Sequence, residues 1–164
     1  MGLSLDASIA LVALAPFLAA ILAPFIHRLA GSYSAWILAI VPAGIFMLLI
    51  RLGEPVVAGE TIAAAIGWVP SYGLTLGFFL DGLSLVFALT IAGIGALIVL
   101  YAGAYLKGHP RQGRFLAYLM AFMGSMLGLV LADNMLALFM FWEATSITSF
   151  LLIGFDHNRQ AARR

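Results

Sequence analysis

The 164-residue sequence contains no cysteine, which excludes disulfide bonds, thiolate metal ligands and a cysteine nucleophile. Charged residues are also scarce at 9%, whereas 64% of the residues are hydrophobic and the mean hydropathy is +1.11. A soluble domain of this length cannot bury so much apolar surface. The composition therefore predicts an integral membrane protein.

Several kinds of chemical site are missing from the sequence. The three histidines, His27, His109 and His157, are far apart and lie in or beside basic loops, so we interpret them as interfacial residues rather than a metal site. The sequence has no nucleophile–base set, metal-ligand spacing or phosphate-binding glycine loop. We therefore do not expect this protein to catalyse a chemical reaction or to bind a cofactor. Nucleic-acid binding is not expected either, because basic loops are the usual topological signal of a membrane protein.

The apolar runs predict a single membrane domain over residues 1–164, with five transmembrane helices at about 7–26, 33–52, 82–106, 113–131 and 134–155. Pro16 and Pro24 interrupt the first helix, which neighbouring helices can tolerate inside a membrane. No basic residue precedes the first apolar run, so we expect this helix to be retained rather than cleaved as a signal peptide. The predicted fold class is all-α, with a short extracytoplasmic β-hairpin.

The hairpin is predicted at about residues 61–80, in the only long segment without helical periodicity. Apolar side chains alternate with a period of two on both sides of Pro70-Ser71-Tyr72-Gly73, which has the proline and glycine that turns favour. We interpret the segment as a β-hairpin lying over the membrane surface. A plain loop is the alternative.

The basic residues fall almost entirely on one side of the predicted membrane. Seven of the eight Lys and Arg residues lie there: Arg28, Lys107, Arg111, Arg114, Arg159, Arg163 and Arg164. Arg51 lies on the other side together with the acidic residues Asp6, Glu54, Glu60, Asp81 and Asp133. The positive-inside rule then places the N-terminus outside and the C-terminus in the cytoplasm, as in a multi-pass protein of the cell membrane.

One acidic residue, Glu143, lies near the middle of the fifth predicted helix. A carboxylate at that depth costs about 2.5–3.5 kcal/mol on insertion scales, so such residues usually serve an ion path, a proton relay or a counter-ion. We interpret Glu143 as a site that handles protons or cations. The alternative is a permanently neutral structural carboxyl in a hydrogen-bonded core.

Hydroxyl side chains follow Glu143 on both faces of the same helix. Ser146 lies on the face of Glu143, whereas Thr145, Thr148 and Ser149 fall on the opposite face at 100° per residue. A helix that faces lipid is not polar all round, so we expect this half of the helix to be buried in protein on several sides and the hydroxyls to support the site. The alternative is that the hydroxyls bond back to the helix backbone.

A charge partner for Glu143 is missing from these 164 residues, because every basic residue lies in or at the edge of a loop. No second acidic residue shares its depth. The charge partner of Glu143 is therefore expected either further along a longer chain or on another subunit. The remaining alternative is that Glu143 has no charge partner. The chain is expected to be incomplete without further residues or subunits.

Three motifs resemble those of one protein family. The segment FFLDGLSL at residues 78–85 resembles the D-G-L-S motif at the head of helix three in the antiporter-like subunits of respiratory complex I and of Mrp cation/proton antiporters. The segment DNML with the later FWE, within residues 133–143, is similar to their D-N-x-L and F-W-E signature. TSITSFLLIG at residues 145–154 resembles the A subunit of Mrp antiporters and the most distal complex I subunit. The resemblance begins at about Trp68; the first two helices match only in hydropathy.

The resemblance implies the N-terminal portion of an antiporter-like helical bundle, as in the A subunit of Mrp-type multisubunit sodium/proton antiporters. Because the subunits of this family are several times longer, the resemblance also implies either a split subunit or a truncated one. It also implies that the residue matching Glu143 pairs with a lysine on a later helix, within a row of charged residues along the membrane midplane. We interpret Asp81 and Asp133 as structural residues that cap the helices they precede.

The function expected from the resemblance is that of a subunit of a monovalent cation (sodium)/proton antiporter, a secondary transporter. One alternative is a proton-translocating subunit of a respiratory NADH:quinone oxidoreductase, and another is a non-transporting assembly subunit. The expected partners are protons and sodium, the lipid bilayer, and other membrane subunits, one of which supplies the lysine unless further chain does so.

Overall fold

The computed structural model describes residues 5–69 and 74–156 of the chain. Within these residues the backbone forms five α-helices: α1 (Leu5–Ala30), α2 (Ser34–Val57), α3 (Gly82–Tyr105), α4 (Gln112–Leu131) and α5 (Met135–Ile153). Two strands, β1 (Ile62–Val69) and β2 (Leu74–Leu80), lie between α2 and α3. The predicted turn at residues 70–73 and the basic tail at residues 157–164 fall outside the described residues.

Four helical stretches of the described chain are long and apolar enough to cross a membrane: Leu5–Val57, Gly82–Tyr105, Gln112–Leu131 and Met135–Ile153. The first combines α1 and α2, which are joined by a short 3₁₀ turn at Gly31–Tyr33. The mostly helical membrane fold expected from the composition is thereby confirmed.

Contacts between the helices show that α1 and α2 run in opposite directions, although the helical stretch is nearly continuous. α1 is antiparallel to α4, because Phe17 meets Gly124 and His27 meets Gly113. By the same kind of contact α2 is antiparallel to α3, and the short 106–111 connection makes α3 antiparallel to α4. The chain reverses at Gly31, whose φ of 52° lies in the left-handed region that glycine adopts without strain.

Small residues allow α2 and α3 to approach closely. Gly103 packs directly on Ala35, so that a Cβ on Gly103 would overlap the alanine methyl group. Further along, Gly93 faces the ring of Phe46. Van der Waals packing of this kind is a main source of helix association in lipid, where water does not drive helices together.

Two predicted helix ends are wrong, because α1 continues to Ala30 and α2 continues to Val57. The sequence Gly53-Glu54-Pro55 favours an end near residue 52. Gly53, however, is buried against Leu85, and Val56 is buried in the core. Packing against α3 thus outweighs the weak helix propensity of glycine and proline at this point.

The two strands form the predicted antiparallel pair, with Ile62 opposite Leu80 and Ala64 opposite Phe78. These four side chains are buried, whereas Ala63 between them is exposed. The period-two alternation of the sequence therefore marks one face that packs against the helices. Through this face the sheet joins one apolar core with buried side chains of all five α-helices.

Candidate functional site

The start of α5 is capped by Asn134. Its Oδ1 accepts a hydrogen bond from the Ala137 N–H at 2.9 Å. Its Nδ2 donates to the Thr75 carbonyl of β2 at 3.2 Å and to Asp133 Oδ1 at 2.6 Å. The prediction that Asp133 caps α5 is therefore wrong, since the cap lies one residue later.

Asp133 instead joins the start of α5 to the sheet. Its N–H donates to the Gly77 carbonyl at 3.2 Å, and its carboxylate lies so close to Gly77 that no side chain would fit there. The preceding residue, Ala132, forms a β-bridge with Phe78. Because this extended segment pairs with β2, Asp133 is directed toward the sheet and the capping position falls to Asn134.

One face of α5 is covered by the rest of the described chain. The residues buried on this face are Ala137, Phe141 and Thr148. The Phe141 ring packs on Gly128 of α4, and its centroid lies 6.3 Å from the ring of Phe17 and 6.0 Å from that of Phe78. α5 is therefore an edge helix, held mainly by α4.

Glu143 lies near the middle of α5 on the uncovered side. It follows Phe141 by two residues, which is about 200° around the helix, and its side chain is exposed. Large apolar side chains on the same helix are also exposed, at 58–74%: Phe139, Trp142, Ile147 and Phe150. Within the described chain the Glu143 carboxylate makes no ion pair or hydrogen bond. The result is a carboxyl group in the middle of a wide apolar surface.

The expectation that this half of α5 is buried in protein on several sides is not met by the described chain. Ser146 shares the exposed face of Glu143, whereas Thr148 is buried on the opposite face. The physical reason is that α4 and β2 pack against one side of α5 and leave the other side open.

Three hydroxyl groups of α5 bond to the backbone of their own helix. Thr145 Oγ1 and Ser146 Oγ donate to the Trp142 carbonyl at 2.6 and 3.3 Å. Thr148 Oγ1 donates to the Ala144 carbonyl at 2.7 Å. The back-bonding alternative is therefore the one observed for these residues. Ser149, the fourth predicted supporting residue, is half-buried on the covered side.

Basic and aromatic side chains meet where α4 begins and α5 ends. Arg114 Nε donates to the Tyr118 hydroxyl at 2.8 Å, and its guanidinium lies over the same ring at 5.8 Å from the centroid. The rings of His109 and Phe115 pack on Phe155, with centroids 5.7 and 4.9 Å apart. This end of the bundle carries most of the positive charge of the described chain, since Arg51 lies at the opposite end.

The two described histidines make local contacts. His27 Nδ1 lies 3.1 Å from the Ser34 hydroxyl, and its ring packs against Gly113. His109 Nδ1 accepts the Arg111 N–H at 3.2 Å. Among the described residues no group of three or more His, Cys, Asp or Glu side chains is placed to hold a metal. His157 lies outside the part of the chain that the structure describes.

Gln112 is a buried polar residue that no sequence pattern singled out. It is fully buried at the start of α4, where its Nε2 donates to the Gly103 carbonyl of α3 at 3.1 Å. Its Oε1 has no hydrogen-bond partner among the described residues. A glutamine beside a basic loop normally lies in solvent, so the sequence offered no signal for this contact.

Asp81 caps α3 through a reciprocal pair of hydrogen bonds with Ser84. Asp81 Oδ1 accepts the Ser84 N–H at 2.8 Å, and Ser84 Oγ accepts the Asp81 N–H at the same distance. The Ser84 N–H stabilises the ionised carboxylate and so lowers the pKa of Asp81 below its ordinary value. The stabilisation is therefore complete above the ordinary pKa and is lost as pH falls through the lowered one.

Replacement of this cap is expected to weaken the start of α3. Asp81→Ala should lower the stability of the assembled protein by about 1 kcal/mol, because an N-terminal N–H loses its acceptor. Asp81→Asn keeps a side-chain oxygen at the cap and serves as the control. Thermal unfolding of the wild type and both variants at several pH values between about 3 and 7 measures the loss of stability. Equal stability of wild type and Asp81→Ala would contradict the capping role.

Comparisons with known proteins extend over most of the chain. A family model described as the N-terminus of NADH-ubiquinone oxidoreductase (complex I) chain 5 matches residues 68–116. The Na(+)/H(+) antiporter subunit A1 of Staphylococcus aureus is 41% identical over 148 residues, which is 90% of this chain. The chain spans 18% of the length of that relative.

Two solved structures contain a chain of similar fold. In the Mrp complex from Dietzia sp. DQ12-45-1b the match has a TM-score of 0.78 and 35% identity, over 90% of this chain and 16% of the other. The membrane-bound sulfane sulfur reductase (MBS), an archaeal respiratory membrane complex, gives a TM-score of 0.75 at 24% identity, over 94% of this chain and 24% of the other. The second likeness shows the fold alone.

The apolar helices and the membrane-protein relatives define a multi-pass membrane protein. More specifically, the comparisons confirm the resemblance of this chain to the N-terminal part of the A subunit of Mrp-type sodium/proton antiporters. Because the similarity to the Staphylococcus aureus subunit covers 90% of the chain, it reaches into the first two helices, for which the motifs gave only hydropathy.

Proposed function

We propose that this chain is part of a subunit of a multisubunit monovalent cation (sodium)/proton antiporter, in which Glu143 contributes to the proton or cation path. The position of Glu143 carries the proposal. It lies in the middle of an apolar helix, faces away from the bundle and has no charge partner among the described residues. The similarity to an Na(+)/H(+) antiporter subunit supports this class of transport.

The energetics of Glu143 favour a role in transport over a role in folding. Facing lipid, its charge would cost about 2.5–3.5 kcal/mol or more. The contacts of α5 with α4 and β2 do not involve this side chain, so no interaction within the described bundle offsets the free energy of placing its charge in lipid. A second protein surface that covers this face and supplies a cation would stabilise the charge. We propose a lysine on another subunit or on further chain as that cation.

The proposed membrane topology has five crossings. The stretch Leu5–Val57 would extend about 80 Å as one straight helix, far beyond the roughly 30 Å of hydrocarbon, whereas its antiparallel halves fit as two crossings. We place Arg28, Lys107, Arg111 and Arg114 in the cytoplasm by the positive-inside rule. The N-terminus and the sheet then lie outside, and Glu143 lies near the membrane midplane.

Cysteine labelling tests this orientation cleanly, because the chain contains no cysteine. With a membrane-impermeant maleimide on intact cells, Glu60→Cys should be labelled and Lys107→Cys should not. In inside-out vesicles the pattern should reverse. The unsubstituted chain is the control for labelling of other subunits. Labelling of Lys107→Cys from outside would overturn the orientation, and labelling of both positions from one side would overturn the crossing count.

The transport proposal is tested by sodium-induced collapse of a proton gradient in inside-out vesicles. Vesicles that contain the assembled complex should show sodium-dependent collapse, and vesicles from cells that lack this chain should not. Equal collapse in the two preparations would place the transport path outside this chain.

A second candidate function is favoured by one observation, the match of residues 68–116 to a complex I chain. Under this alternative the chain is a proton-translocating subunit of a respiratory NADH:quinone oxidoreductase. The purified complex would then oxidise NADH and show no sodium-dependent collapse. The longer similarity, 41% identity over 148 residues, favours the antiporter. A third candidate, a non-transporting assembly subunit, would leave transport intact when Glu143 is replaced.

A further inference from the structure

A cleft of about 470 Å³ opens between the start of α4 and the end of α5. Its lining includes two arginines and several apolar or aromatic side chains: Arg111, Arg114, Tyr118, Phe150, Leu151 and Phe155. None of the described lining residues is acidic, so the described lining carries two positive charges and no negative one. The cleft therefore presents positive charge beside an apolar wall.

The polarity of the cleft changes with depth. Arg111 and Arg114 lie at the first turn of α4, and Tyr118 lies one turn further in, about 6 Å along the helix axis. Because α4 and α5 are antiparallel, Arg114 is near the level of Phe155 and Tyr118 near that of Leu151. Charge at the helix ends and apolar surface below it match the cross-section of a phospholipid at the membrane surface.

The guanidinium of Arg114 is held in place before any ligand binds. Its Nε donates to the Tyr118 hydroxyl at 2.8 Å, and the Tyr118 ring lies beneath the group. Among the described residues no further hydrogen bond to this side chain is formed, which leaves its terminal N–H groups for another acceptor. The planar fork of arginine suits the oxygens of a phosphate.

We propose that this cleft binds an anionic phospholipid of the phosphatidylglycerol type. Its phosphate would lie at Arg111 and Arg114, and one acyl chain would run along Tyr118, Phe150 and Leu151. A free phosphate would use only the charged end, whereas the continuous apolar wall below it fits an acyl chain. The proposal requires that the chain spans a membrane, but it does not depend on the transport function proposed for Glu143.

Photo-crosslinking in the assembled complex tests this site. A phosphatidylglycerol analogue with a photoactivatable acyl chain should label peptides that contain Tyr118 or Leu151. The double substitution Arg111→Gln and Arg114→Gln should reduce this labelling about 25-fold, since each of the two basic groups near an anionic surface contributes on the order of a fivefold change in binding. Arg28→Gln is the matched control, because Arg28 is exposed at the end of α1 and does not line the cleft. It should leave labelling unchanged.

Competition with the unsubstituted complex gives an answer that does not depend on the folding of any variant. Unlabelled phosphatidylglycerol should compete with the probe, whereas phosphatidylethanolamine and inorganic phosphate should not. Equal competition by phosphatidylethanolamine would mean that the cleft binds lipids without selecting an anionic headgroup, and it would overturn the proposal. Displacement by inorganic phosphate would indicate a simple anion site, and an intact complex without label on these peptides would mean that protein covers the cleft. Either result also overturns the proposal.

Discussion

Glu143→Gln is expected to abolish sodium-dependent collapse of a proton gradient in inside-out vesicles while the complex stays assembled. The amide is nearly the same size as the carboxyl group, but it carries no charge and cannot release a proton. The expected loss is on the order of 100-fold or more, the size typical of a lost proton-transfer group. Assembly should be retained, because the residues that α5 buries against the rest of the described chain do not include Glu143, and the amide oxygen can still accept a hydrogen bond from the proposed lysine.

The control for this variant is Glu54→Gln, which makes the same chemical change at an exposed carboxyl near the end of α2. It should transport like the wild type. Glu143→Ala should lose transport as Glu143→Gln does, because it also removes the group that carries the charge or proton. Normal transport by Glu143→Gln at matched expression would make the residue a neutral structural carboxyl, or the chain an assembly subunit.

Gly128→Ala is expected to destabilise the packing of α5 on α4 by about 1–3 kcal/mol, the usual range for overpacking. A Cβ at Gly128 would overlap the ring of Phe141. That ring has little freedom to move, because Phe17 and Phe78 lie on its other sides at centroid distances of 6.3 and 6.0 Å. The added methyl group should therefore displace α5 itself, and with it the neighbouring Glu143. Thermal unfolding and sodium-dependent collapse should both be reduced.

A matched control and a rescue variant make this test specific. Gly44→Ala introduces the same methyl group in α2, where nothing lies within 4 Å of the new Cβ, and should be neutral or slightly stabilising. Combining Gly128→Ala with Phe141→Leu should restore part of the lost stability, because the smaller side chain makes room. If the two substitutions simply add, the ring is not what opposes the methyl group.

Much of the fold follows from the sequence, because long apolar runs and one period-two segment have few structural solutions. The alternation of Ile62 and Ala64 on β1 anticipates the buried face of the sheet. The helix boundaries were harder to predict from the sequence, because they depend on contacts between distant residues. Adjacent Asp133 and Asn134 are about equally good capping residues by type. The pairing of this segment with β2, 59 residues earlier in the chain at Thr75, decides between them.

The candidate site also combines a feature that the sequence predicts with one that depends on packing between distant residues. A carboxyl group inside an apolar run identifies Glu143 from sequence alone, and this carries the functional hypothesis. Which side of α5 faces the bundle was not predictable, because large apolar residues lie all around the helix. Packing resolves the question through Gly128, which admits the Phe141 ring and so turns Glu143 outward. A glycine in a sequence allows a close contact but does not show which residue makes it. The packing of Phe141 on Gly128 was therefore not predictable from the sequence.

The attachment of α5 to the sheet has a consequence for the height of Glu143. The helix is held at its capping residue by the bond from Asn134 to Thr75 and near its middle by the insertion of Phe141 at Gly128. A helix held at two levels cannot slide along its axis by one turn of 5.4 Å. Glu143 lies nine residues, about 14 Å, beyond Asn134. When the bilayer thickens or thins, the lipid must therefore adjust around the carboxyl group, whose distance from the sheet is set by protein contacts.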